Sequence, residues 1–225
     1  MQSYDEVVRA HPFAQHTQSH LANARTNLAG LLAQQGEREA AAAQLAAARA
    51  LYEGLLEAAP GNDAYRQGLC YVLLTHASVC IARVEPAAAL PLLEPAAPVD
   101  DDLLVARPRQ PVYRQTRCVG FGVEAEARLA TDDLQGAAEA AGALLEPRLA
   151  PNPNALAAGF LLRIAAAHEE AAAAAGCRER ARAALQSLVE RGVTLADLAA
   201  DPMSRDQVEK AEFVQLWTEL GGAER

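Results

Sequence analysis

The stretch YEGLLEAAP, residues 52–60, has two altered copies elsewhere in the chain, and their spacing decides the fold. YDEVVRAHP occupies 4–12 and DDDLLVARP occupies 100–108, so Pro12, Pro60 and Pro108 stand 48 residues apart. The apolar pairs Val7–Val8, Leu55–Leu56 and Leu103–Leu104 keep that frame, as do Ala10, Ala58 and Ala106. YRQGLCYV (65–72) returns as YRQTRCVG (113–120), and Ala41, Ala89 and Ala137 hold the same register. A fourth, shorter copy begins near Pro153. Self-similarity at a fixed period marks a repeat architecture, in which each unit buries its apolar face on the next.

Each copy reads as two helices. In the first, the apolar stripe Leu21, Ala24, Leu28, Leu31 and Leu32 predicts a core-facing helix over 14–34. Gly36 supplies a left-handed helix end, and a second helix follows over 38–58. Pro60-Gly61-Asn62-Asp63 stops it, with Asp63 able to cap the next. The later pairs read as 63–82 with 86–106, 111–130 with 133–148, and 154–175 with 178–191. Pro91 and Pro95 fall inside 86–106, so that helix is expected to break after Leu93, with APVDDD (97–102) as a loop. Residues 4–12 read as the end of a second helix without its first, so the chain is expected to begin within an array.

Composition agrees with an all-α protein. Alanine and leucine dominate, and aromatics make up only 4% of the chain. A net charge of −9 speaks against nucleic acid, whose phosphates require clustered Lys and Arg. The longest uncharged apolar stretch, 68–82, is short of the ~20 residues that span a bilayer. With no charged leader before an apolar run, a cytoplasmic protein without membrane contact is expected. Cys70, Cys80, Cys118 and Cys177 show no zinc-ligand spacing and read as small packing residues.

NLAGLLAQQGEREAAAAQLAAA (27–48) resembles a tetratricopeptide repeat. Its small residue after leucine, its glycine turn and its spaced alanines stand where that motif puts them. The usual unit has about 34 residues, and here the second helix is some two turns longer. Long-helix repeats of this kind resemble the arrays C-terminal to bacterial serine/threonine protein kinases. VERGVTLADLAADPMSRDQVEKAEFVQLWTEL (189–220) is similar to the closing segment of those arrays. The resemblance implies a right-handed superhelical solenoid of antiparallel helix pairs over 1–192, ended by a capping segment over 193–225. It also implies a concave groove lined by the first helix of each pair. Residues there that stand off the core stripe are Asn23, Asn27, Arg66, Gln67, Arg114, Gln115 and Arg117. Their amides and guanidinium groups could hydrogen-bond an extended peptide. The family's carboxylate-clamp pattern of lysine and asparagine is not matched, so a C-terminal carboxylate ligand is not implied.

Reactive constellations are thin. His16 and His20 are four apart on a helix but lack the glutamate of HExxH and a third ligand, so they read as exposed polar residues. His76 replaces an expected core leucine, and His168 reads as a solvated helix face. Asp100–Asp102 lack the alternation and glycine turn of a calcium loop and read as capping and solvation. Gly120 and Gly122 follow no strand, so they mark close helix contact and not a dinucleotide loop. Ser204 and Gln207 form an S-x-x-Q capping box before an apolar helix, Val208 to Leu220, that covers the end of the stack. No kinase or hydrolase motif is present, no cofactor or metal is expected, and the sequence points to a non-catalytic interaction scaffold. The alternative is a self-assembly module.

Overall fold

A computed structural model describes residues 12–146, 149, 153–201 and 204–223. The segment 4–11, expected as the end of a helix, lies outside these residues. Every regular element among the described residues is helical. The chain divides into two compact units, 1–116 and 117–225, with the boundary inside one helix.

The first unit begins with α1 (Pro12–Gln34), which turns back through Gly36 onto α2 (Arg38–Ala58). Gly36 has φ +83°, the left-handed conformation a side chain would strain. α3 (Asp63–Ala82) follows, packed on α2 and also touching α1. Its cap is Asn62 and not Asp63: the Asn62 side chain accepts from the Ala64 and Tyr65 amides, and Asp63 opens the helix itself. α4 (Pro86–Leu93) and α5 (Ala96–Ala106) both lie against α3. The break after Leu93 falls where Pro91 and Pro95 place it. The expected loop after it is instead helix, because Pro95 takes the cap position and Pro98 lies in the first turn, where no amide donor is needed. Asp100 is therefore carried inward and is 1% exposed, where capping and solvation were expected.

The core face of α1 also differs from the expected stripe. Ala22, Thr26 and Ala29 are buried, while Leu21, Leu28 and Leu31 are 45%, 44% and 57% exposed. The repeat explains which face wins. Ala22, Cys70 and Cys118 share one register position, Ala29, Ala77 and Ala125 another, and all six are buried. Small residues at these columns let the helix backbones approach closely. Ala41, Ala89 and Ala137 form a third such column, each 0% exposed. Between α2 and α3 the contact is sealed by Tyr52, whose ring fills the space that a side chain on Gly68 would occupy. Leu45, Leu55, Val72 and Val79 complete this core, with Tyr65 packed against it.

α6 (Pro111–Ala130) contains the boundary between the units. The second unit continues with α7 (Leu134–Ala143), capped by Asp133, which accepts from the Gly136 amide at 2.9 Å. α8 (Pro153–Ala167) and α9 (Ala171–Glu190) pack closely together. Their junction is His168-Glu169-Glu170, earlier than the expected turn near Gly176. α8 is buried on nearly every side from Ala155 to Ala165, and the first charged run ends it, since those side chains cannot follow into the core. Gly122 lies against Leu156, at a distance where an added methyl would just touch, so it does mark close helix contact.

The C-terminal segment consists of α10 (Leu195–Ala200), α11 (Arg205–Val208) and α12 (Ala211–Glu219). The reciprocal capping box forms one helix earlier than expected, between Thr194 and Asp197. Ser204 instead donates to Asp201 at 2.7 Å, and Gln207 is turned into the core against Gly159. α12 buries Phe213 and Trp217, and it packs on α8.

Candidate interaction surface

In the first unit the first helices of successive pairs, α1 and α3, lie against each other. Offset by one repeat, Asn23 corresponds to Tyr71 and Asn27 to Thr75. Asn23, Asn27 and Tyr71 are exposed, and Thr75 is partly so. The result is an uncharged row carrying two amides, a phenol and a hydroxyl. Asn23 is fixed in orientation because its Oδ1 accepts the Tyr52 hydroxyl at 2.7 Å. Burial raises the Tyr52 pKa, and neighbouring Tyr65 adds to this while the bond to Asn23 opposes it. Asn23 therefore keeps its amide N–H groups for an outside acceptor.

The charged candidates are placed differently. Arg66 donates to Asp102 at 2.9 Å and lies 3.8 Å from Asp63, which also receives Arg107 at 2.9 Å. These four side chains tie the start of α3 to α5 and its end. Gln67 reaches the Thr116 hydroxyl at 3.5 Å. Arg114 is half-buried and its Nε has no hydrogen-bond partner among the described residues, whereas Gln115 beside it is exposed. Arg117 is 8% exposed, with its guanidinium 3.8 Å above the Phe121 ring. It stands in the register of Leu21, which is exposed, so its burial comes from this contact with Phe121 and not from the repeat position.

The histidines and thiols show little convergence. His16 and His20 are exposed with their Nε2 atoms 2.9 Å apart. No group of three or more His, Cys, Asp or Glu side chains able to hold a metal occurs among the described residues. His76 is half-buried; burial, then Arg49 and Arg83, hold its pKa below the usual imidazole range. All four cysteines are buried and outside any disulfide, and burial pushes the Cys80 and Cys177 thiols up, away from the reactive thiolate.

A cavity of about 670 Å³ in the second unit was not anticipated from sequence. It lies where α8 meets α12, walled by Leu162, Ala166 and Phe213, with Arg163, Lys210 and Glu212 also in its lining. Arg163 is held by a bidentate pair with Glu126, at 2.9 Å for one of the two bonds. That engagement takes up the Arg163 guanidinium, while Glu209, Lys210 and Glu212 stand in the same lining.

No helix among the described residues is long and apolar enough to cross a membrane. Comparison with protein-family models, with curated proteins and with solved structures found no match.

Proposed function

We propose that the chain is a non-catalytic protein–protein interaction scaffold. In this reading its helix pairs stack as a right-handed, tetratricopeptide-like superhelix, and the first helices line a concave groove that takes a peptide or a partner protein. It acts in the cytoplasm, as the repeat region of a larger bacterial signalling protein of the kinase-associated kind. One observation carries the reading: α1 and α3 touch while presenting Asn23, Asn27 and Tyr71, in repeat register, to solvent. Amides and a phenol in a row suit the backbone of an extended peptide, which needs both donors and acceptors. Arg66 belongs to an internal ion-pair network, so this row and not the arginine ladder is the better test.

Random peptides displayed on phage and panned against the immobilised chain should enrich binders. Their affinity should drop at least ~tenfold in Asn27→Ala combined with Tyr71→Ala, as expected for loss of an aromatic anchor. Enriched peptides indifferent to both substitutions would sink the groove assignment.

A second reading, self-assembly, is favoured by a separate observation: the leucines of α1 that face solvent.

A further inference from the structure

Leu21, Ala24, Leu28 and Leu31 are all exposed, and they fall at intervals of three, four and three. That is the a–d–a–d spacing of a coiled-coil seam, on the side of α1 away from Ala22, Thr26 and Ala29. The helix therefore has two apolar faces, and among the described residues only one of them is covered to any depth. The same positions one repeat later are Leu69, Val72, His76 and Val79 on α3. There Val72 and Val79 are 1% and 3% exposed, buried in the core formed with α1 and α2. The α1 stripe is thus the face that, in the next repeat, receives a helix.

We infer that this face pairs with the same face of a second copy of the chain, α1 against α1, antiparallel. The inference deepens the self-assembly reading and rests on it. Three observations choose this occupant. The stripe is self-complementary when reversed: with the twofold axis between positions 24 and 28, Leu21 meets the partner's Leu31 and Ala24 meets the partner's Leu28. A small residue then faces a large one in each central layer, whereas a parallel pair would oppose alanine to alanine and leave a void. The helix also carries no acidic residue, and its single formal charge, Arg25, is turned to Gln44 at 2.7 Å. Flanking positions Gln18, Asn27 and Gln34 carry uncharged amides, so two copies meet there without repulsion. Finally, a 23-residue helix is ~34 Å long, enough for a lengthwise contact at the small end of specific interfaces. A reversible dimer is the expected product.

Sedimentation equilibrium of the full chain should show a monomer–dimer equilibrium, with Leu28→Glu shifting it at least ~tenfold toward monomer. Because Leu28 is exposed, helical circular dichroism should not change; Leu31→Gln provides a milder second variant. Direction is read by disulfide trapping, since the native thiols are buried. Ala24→Cys mixed with Leu28→Cys should crosslink as a heterodimer in preference to either homodimer. A dimer insensitive to Leu28→Glu and Leu31→Gln would overturn this surface while leaving self-assembly standing. Homodimer crosslinks at Leu28→Cys alone would overturn the antiparallel pairing. A strict monomer at every concentration would overturn both the pairing and the self-assembly reading.

Discussion

Two aromatic rings, one in each unit, sit where a glycine has left room, and they work over different ranges. Tyr52 reaches from α2 to Gly68 on α3, joining one helix pair to the next, and its hydroxyl continues to Asn23 on α1. Trp217 lies over Gly222, only a turn beyond the end of its own helix, and its indole N–H donates to the Ala223 carbonyl at 3.2 Å. That carbonyl also accepts from the Leu195 amide at 3.0 Å. The tyrosine contact propagates a stack. The tryptophan contact folds the chain back on itself and closes it.

The largest effect should come from breaking the closing contact. Trp217→Ala removes a fully buried indole and should cost the second unit about 3–5 kcal/mol, measured as a lowered urea midpoint. The first unit should keep its own transition. Next is Gly68→Ala. Alanine gains about 1 kcal/mol of helix propensity, but displacing the buried Tyr52 ring costs about 1–3 kcal/mol, so a net loss is expected. Adding Tyr52→Leu should remove much of that loss, and a double-mutant cycle showing simple additivity would mean the two residues do not interact.

Smaller still is Tyr52→Phe, about 0.5–1.5 kcal/mol, because the Asn23 amide left behind is exposed and water can satisfy it. The mildest test uses pH. The folded state holds His76 below its ordinary pKa, so the unfolded chain takes up that proton first. Stability should be full above about pH 6.5 and fall as pH drops below it, toward the folded value. His76→Leu, which restores the residue found at the equivalent position 28, should flatten that part of the melting-temperature profile. An unchanged profile would assign the acid sensitivity to other groups.

Much of the helical order was legible in the sequence because proline, glycine and asparagine act locally. Pro60 with Asn62, Gly36 and Pro86 mark ends that the structure keeps. The orientation of α1 was not legible from periodicity, since leucines and alanines form two apolar faces and hydrophobicity favours the leucines. The information was in the register instead: Ala22 aligns with Cys70 and Cys118, and small residues repeated at one position mark where helices must touch. The row of Asn23, Asn27 and Tyr71 was half visible, through its two amides. Tyr71 was missed because an aromatic inside an apolar helix reads as core, yet it is 43% exposed. The burial of Arg117 was not legible, since its register mate Leu21 is exposed and its charge pointed to solvent. The cavity beside Phe213 depends on how α12 meets α8, a long-range contact with no local signature.

The placement of the aromatic side chains has a practical consequence for spectroscopy. All five tyrosines, Tyr4, Tyr52, Tyr65, Tyr71 and Tyr113, fall within 1–116, and the single tryptophan falls within 117–225. Excitation at the red edge, where tyrosine does not absorb, therefore reports on Trp217 and its unit alone. Near-ultraviolet tyrosine absorbance follows the other. Each unit of the native protein carries its own optical label, so the order in which they unfold can be read without adding a probe.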